Sequence, residues 1–163
     1  MADDLGFLDR FGAVLIDSYF VVDRERRIQR FNSAFLQMLG LRPSQRRTVQ
    51  GTPCFKLLNL EICRQDCIAL KCLSKNAPCR MEEIQGKTPD GRDIVLELSA
   101  MPLYGADQQV AAVLVIHRDV TDERHLKIKY DEAHQDNKNR VDVLLKLVQE
   151  RDRELAELRQ KPR

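Results

Sequence analysis

All five cysteines of this 163-residue chain lie between residues 54 and 79, with the spacing C-x8-C-x3-C-x4-C-x6-C. Thiolates are soft ligands that suit zinc or an iron–sulfur cluster. The spacing matches neither a ferredoxin run nor the paired cysteines of a structural zinc site. A metal or cluster held by Cys54, Cys63, Cys67 and Cys72 is therefore one hypothesis among three.

The second hypothesis is a reversible thiol switch. Arg64 and Lys71 lie beside Cys63 and Cys72 in the sequence, and nearby positive charge lowers the pKa of a thiol. Two thiols within reach of each other form a disulfide on oxidation. The third hypothesis is that the cysteines are small buried hydrophobic residues, but their clustering favours chemistry, with the cofactor unknown and an iron–sulfur cluster or zinc as the candidates.

Other residues give no convincing reaction centre, so we predict no catalytic residues and no enzyme activity. The phosphate-binding, dinucleotide-binding, H-E-x-x-H and G-x-S-x-G motifs are all absent from the sequence. Asp90 and Asp93 are typical of a turn. His117 is predicted to end a strand, where it could face a pocket and ligate haem or a metal, or be a surface residue. His125 and His134 are far from the cysteines in sequence.

The composition favours one folded domain with a charged appendage, since 43% of residues are hydrophobic and 32% are charged. The net charge of +2 and the interleaved acids argue against a nucleic-acid partner. The acidic N-terminus does not resemble a secretory signal, and no stretch is apolar enough to cross a bilayer. We therefore expect a cytoplasmic protein without direct nucleic-acid or membrane contacts, a setting where clustered cysteines are more often metal-binding or redox-active than disulfide-bonded.

The hydrophobic pattern predicts an N-terminal helix followed by an α+β domain. Residues 1–17 show helical spacing at Leu5, Leu8, Phe11, Val14 and Leu15. Residues 18–121 form the domain, in which Asn32 is expected to cap a helix that Gly40 ends. The predicted order is two strands, short helices and loops, then three strands, which indicates an antiparallel five-stranded sheet. The expected segments are strands 18–23, 24–32, 80–88, 92–104 and 110–119, helix 33–40, and short helices and loops over 41–79.

Residues 122–163 are predicted to form a long coiled-coil helix, because apolar residues recur at heptad a and d positions. Glu154 and Arg159 would attract each other across a parallel homodimer. The alternative is one helix packed on its own domain, but a long polar helix is marginal without a partner. The predicted dimer interface consists of Val141, Leu144, Val148, Leu155 and Leu158.

Three motifs occur in the order and spacing of a known family. The segments FNSAFLQMLG (31–40), KTPDGRDIVLELSAMPLY (87–104) and HRDVTDER (117–124) together resemble the PAS domain family over roughly residues 8–125. The resemblance implies the PAS fold, with a five-stranded antiparallel sheet flanked by short helices. It also implies that Asp119 and Thr121 relay a signal from the sheet to the C-terminal helix.

The cysteine segment GTPCFKLLNLEICRQDCIAL (51–70) is similar to cysteine-bearing PAS modules of bacterial signalling proteins and transcription regulators. Cys54, Cys63 and Cys67 match that pattern, whereas Cys72 and Cys79 are additional. The resemblance implies a non-catalytic sensor or adaptor for redox state, a metal or a small ligand. Its dimeric helix would pass the signal to a protein partner such as a kinase or a regulator. The alternative is a PAS-based interaction scaffold with structural cysteines and no ligand.

Overall fold

The computed structural model describes residues 10–12 and 14–160, except for the side chains of Asn59 and of residues 154–160. The chain divides into two compact units after Thr121. Most of the predicted N-terminal helix, including Leu5 and Leu8, lies outside the described residues, but residues 10–12 and 14 are helical.

The first unit is built on an antiparallel sheet whose strand order is β2-β1-β6-β5-β4-β3. The predicted α+β fold and its five strands are confirmed. A sixth strand of two residues, β3, pairs with the edge of the sheet in a region that we expected to hold only helices and loops. The strands are β1 (Ser18–Val22), β2 (Ile28–Phe31), β3 (Asn59–Leu60), β4 (Cys79–Lys87), β5 (Asp93–Tyr104) and β6 (Val110–Asp119).

Short helices connect β2 to β4. The predicted cap is present, since the Asn32 side chain accepts hydrogen bonds from the backbone N–H groups of Phe35 and Tyr19, each at 3.1 Å. Gly40 follows this helix with a φ of +68°, which a residue without a Cβ adopts at little cost. The helices are α1 (Ser33–Met38), α2 (Arg46–Val49), α3 (Cys54–Leu57) and α4 (Ile68–Lys75), with 3-10 turns at Pro43–Gln45 and Glu61–Cys63.

The main core lies between these helices and one face of the sheet. Alternate residues of β5, namely Ile94, Leu96 and Leu98, are buried there, as the two-residue period of a strand requires. Phe35 of α1 is fully buried, and its ring centroid lies 5.1 Å from that of Phe20 on β1. The cysteines belong to this core or pack against it, so their environment is set by the segments that cover the sheet.

The second unit consists of one helix, α5, which begins at Thr121 at the boundary and ends at Gln160. Three of its predicted interface residues, Val141, Leu144 and Val148, are 54–60% exposed. Within the described part of the chain, no helix combines the length and the hydrophobicity needed to span a membrane.

Candidate functional site

Three of the four predicted site cysteines meet at one small cavity in the core. Cys54, Cys63 and Cys67 line a space of about 30 Å³, together with His117 and apolar side chains. A water molecule needs roughly 10–15 Å³ of such space, so the cavity, called the inner cavity below, has room for a very small ligand. Cys72 is fully buried but does not line it.

The three cysteines reach the inner cavity from three separate short segments. Cys54 begins α3, Cys63 ends the 3-10 turn Glu61–Cys63, and Cys67 precedes α4. Cys63 and Cys67 are four residues apart, a spacing that would predict one shared face if the segment were helical, but the chain is not helical between the turn and α4. The Cys63 thiol instead donates a weak hydrogen bond to the carbonyl oxygen of Leu58, at 3.6 Å.

Burial raises the pKa of two of these thiols, those of Cys54 and Cys63. It raises the pKa of Cys54 to about 12, and the charges of Cys67 and Cys63 add to the rise. The pKa of Cys63 is also raised, again mainly by burial. Nearby positive charge, which we expected to lower thiol pKa values, is outweighed by desolvation. All five cysteines are free thiols in this structure.

Cys72 lies in a different electrostatic environment. Burial raises its pKa, and the charge that adds to the rise is that of Cys79 rather than of the cavity cysteines. Lys71, which we expected to activate Cys72, places its Nζ 2.5 Å from Asp66 Oδ2. Among the described residues, no group of three His, Cys, Asp or Glu side chains is arranged to hold a metal ion. A metal on Cys54, Cys63, Cys67 and Cys72 therefore stays a prediction.

His117 contributes an unpaired polar atom to the inner cavity. The residue is 2% exposed, and its Nδ1 has no hydrogen-bond partner among the described residues. Its ring packs against Phe20 and Phe35, with centroids 4.7 and 5.9 Å away. Burial lowers the pKa of His117 to about 3, so the imidazole is neutral at physiological pH. A buried polar atom without a partner is rare and costs stability, and this one belongs to a residue that lines the same cavity as three cysteines.

Replacing His117 with leucine is expected to stabilise the isolated protein. The substitution removes the unpaired Nδ1, whose burial costs roughly 1–3 kcal/mol, and keeps an apolar side chain in the core. Urea denaturation followed by circular dichroism measures the effect, with the exposed His125→Leu as the control. A large loss of stability would contradict the absence of a partner for Nδ1.

Arg26 is a residue that the sequence analysis missed. It lies in the turn between β1 and β2 with a φ of +62°, a conformation that is uncommon outside glycine. Its guanidinium stacks 4.4 Å from the ring centroid of Phe55, and its Nη1 donates to the carbonyl oxygen of Cys63 at 3.5 Å. The charge of Arg26 opposes the rise in the pKa of both Cys54 and Cys63. No sequence signal connects this turn with residues so far along the chain.

The predicted relay residues connect β5, β6 and the start of α5. The Thr121 hydroxyl accepts a hydrogen bond from the Val95 N–H at 2.9 Å and donates one to Asp119. The Val120 N–H donates to the Val95 carbonyl, also at 2.9 Å, and Arg92 lies 3.6 Å from the Asp119 carboxylate. The first residue of α5 is therefore tied to the central strands, and a relay role for Asp119 and Thr121 stays a proposal.

Comparison with known families agrees with this architecture. The PAS domain family profile matches residues 16–122, which is most of the chain. The chain belongs to the PAS domain family. None of the curated protein sequences matches it.

Solved PAS domains share this fold. A PAS domain from Colwellia psychrerythraea is 21% identical, with a TM-score of 0.59 over 73% of this chain and 98% of that one. The PAS domain of nitrogen regulation protein NR(II) from Vibrio parahaemolyticus is 15% identical, with a TM-score of 0.54 over 68% and 94%. A Rhodobacter sphaeroides LOV protein is 14% identical, with a TM-score of 0.60 over 74% and 68%. At these identities the likeness shows the fold.

The helix that follows the PAS domain carries the predicted dimer residues. Three of these residues are more than half exposed in the single chain, namely Val141, Leu144 and Val148. Such exposure is expected of apolar residues that a second copy would cover. The side chains of Leu155 and Leu158 lie outside the described residues, as do those of the predicted Glu154–Arg159 pair. The dimer therefore stays a prediction.

Proposed function

We propose that this PAS domain is a non-catalytic sensor or adaptor in signal transduction, with the inner cavity as its input site and α5 as its output. The observation that carries the proposal is the unpaired Nδ1 of His117, which lines the same cavity as three thiols. A change in those thiols would alter the surroundings of this buried residue, because they line the same cavity. Similar folds include nitrogen regulation protein NR(II) and a two-component sensor histidine kinase, which supports a signalling role.

Redox state is the input that the arrangement supports best. Cys54, Cys63 and Cys67 interact through their charges and come from short segments rather than from one rigid helix. We expect thiols that line one cavity to pair on oxidation. The resulting bond would repack the inner cavity around His117.

The route from the inner cavity to α5 follows β6. His117 and Asp119 lie two residues apart on this strand, where they pair with Leu98 and Leu96 of β5. A shift of β6 at His117 therefore moves the anchor of Thr121. We propose that α5 has two arrangements and that a shift of β6 favours one of them over the other.

The proposed output is a parallel homodimer of α5, which presents the signal to a partner such as a kinase or a transcription regulator. The support is the exposed stripe at Val141, Leu144 and Val148, together with the low stability expected of a long polar helix on its own. Burying this stripe against a second copy would remove its apolar surface from water.

Analytical ultracentrifugation of reduced and diamide-oxidised protein tests the proposal. We expect the dimer dissociation constant to change by roughly 5–150-fold, the usual range for coupled sites. The double variant Cys63→Ser and Cys67→Ser should lose the change, while Cys79→Ser, which alters a cysteine outside the inner cavity, should keep it. An unchanged dissociation constant in wild-type protein whose thiols have been oxidised would contradict the proposal.

A PAS-based interaction scaffold is the second candidate. Two observations favour it. The inner cavity is small, at about 30 Å³, and the cysteines belong to the core or pack against it. In that case replacing Cys54, Cys63 or Cys67 singly with serine changes stability but leaves dimerisation insensitive to oxidants.

A further inference from the structure

A second pocket, called the outer pocket below, lies on the solvent side of two of the cavity cysteines. It has a volume of about 470 Å³, and Arg26, Phe55, Cys63, Arg64 and Cys67 are among its lining residues. Cys63 and Cys67 line both the outer pocket and the inner cavity. Together with Leu60, which also lines both spaces, these residues lie between the outer pocket and the cavity that His117 lines.

The outer pocket is suited to an anion. Two arginines, Arg26 and Arg64, are among its lining residues, and its described lining contains no acidic residue. Clefts lined by charges of one sign concentrate ligands of the opposite sign. The exposed ring of Phe55 adds a flat apolar surface beside the cations.

Arg26 is held in place by its turn. Its N–H donates to the Asp23 carbonyl at 3.0 Å, and its own carbonyl accepts from the Cys54 N–H at 3.0 Å. A non-glycine residue with a positive φ is retained where its surroundings fix it, often at a functional site. Its guanidinium stacks on Phe55 and donates a hydrogen bond to the Cys63 carbonyl oxygen. A positive charge is therefore held next to Cys63 in the outer pocket.

Cys63 is the accessible thiol of the inner cavity. It is half-buried, whereas Cys54 and Cys67 are buried. Of the two cysteines that line the outer pocket, Cys63 is therefore the more accessible to a reagent that enters it.

We propose that the outer pocket binds a small anionic disulfide, of the size and charge of glutathione disulfide, and that Cys63 is thiolated there. This inference rests on the proposed function and names the oxidant that reaches its input site. The Cys63 thiol, which is mostly protonated, loses its proton to solvent, and the thiolate that forms attacks one sulfur of the ligand. A mixed disulfide forms on Cys63, the S–S bond of the ligand breaks, and the other half leaves as a thiolate that takes up a proton. Cys63 is oxidised and the released half is reduced.

The fully reduced 163-residue chain is incubated with glutathione disulfide, and peptide mass spectrometry locates the adduct over time. We expect Cys63 to be modified first and roughly tenfold faster than by cystamine, a cationic disulfide. Arg64→Gln should reduce that preference without replacing a cysteine. Cys63→Ser should remove the first adduct, and Cys79→Ser, which changes the other half-buried cysteine, should leave it intact.

First modification at Cys79, or equal rates for the anionic and cationic disulfides, would overturn the assignment. Should Cys63→Ser fail to fold, the wild-type and Arg64→Gln rates alone still decide it. The mass-spectrometric detection of the adduct does not depend on α5. If no adduct forms but the dimer still responds to diamide, only the binding and thiolation proposed here are ruled out. An adduct on Cys63 that leaves the dimer unchanged instead removes the sensor function.

Discussion

Replacing both Leu144 and Val148 with glutamate is expected to convert the proposed dimer into a monomer. These residues occupy adjacent d and a positions of the heptad, and their side chains are 60% and 57% exposed in the single chain. In a parallel dimer each carboxylate would face its copy across the seam, where charge is desolvated and like charges repel. We expect the dissociation constant to rise by at least about 100-fold, equivalent to about 2.7 kcal/mol, as measured by analytical ultracentrifugation.

Lys146→Glu is the matched control, because Lys146 falls on the outward-facing f position between the two substituted residues. It also changes charge on α5 but should leave the dissociation constant within a fewfold of wild type. A double variant that dimerises as tightly as Lys146→Glu would place the interface elsewhere and contradict the output proposed for α5.

Replacing Phe35 with alanine is expected to cost about 3–5 kcal/mol of unfolding free energy, the usual loss for a large buried aromatic. Phe35 is fully buried, and its ring lies 5.1 Å from Phe20 and 5.9 Å from His117. The loss is a large share of the total stability of a typical domain. Urea denaturation followed by circular dichroism measures it.

Phe55→Ala provides the comparison, since the Phe55 ring is 38% exposed and contacts the Arg26 guanidinium. Of the two phenylalanines, the structure buries only Phe35. We expect Phe55→Ala to cost about 1 kcal/mol, the size of a partly exposed cation–π contact with some lost packing. Equal losses for the two variants would contradict this description of the core.

The sequence predicts the fold well where the signals are local. The alternation of Ile94, Leu96 and Leu98 identifies β5, and Asn32 followed by an apolar run identifies the start of α1. The two-residue strand β3 was missed because so short a segment shows no period, and it is defined only by pairing with β4.

The candidate site could be predicted only in part, because it depends on residues that are distant in sequence. The C-x8-C-x3-C spacing identifies Cys54, Cys63 and Cys67 but does not exclude Cys72, which tertiary packing separates from them. The meeting of His117 with these thiols requires β6 to lie beneath the helical segment, which no local pattern encodes. Arg26 was missed for the same reason, since its contacts with Phe55 and Cys63 span the fold.

Amide hydrogen exchange along α5 tests most directly whether the state of the thiols reaches the helix. The protein is compared fully reduced and after diamide oxidation, as wild type and as Thr121→Val, which removes the hydroxyl that bonds the Val95 N–H. We predict that oxidation changes the protection of residues 122–160 in the wild type and that this change is lost in Thr121→Val. Identical protection of α5 in reduced and oxidised wild type, with loss of the Cys63 and Cys67 thiols confirmed by mass spectrometry, would contradict the account.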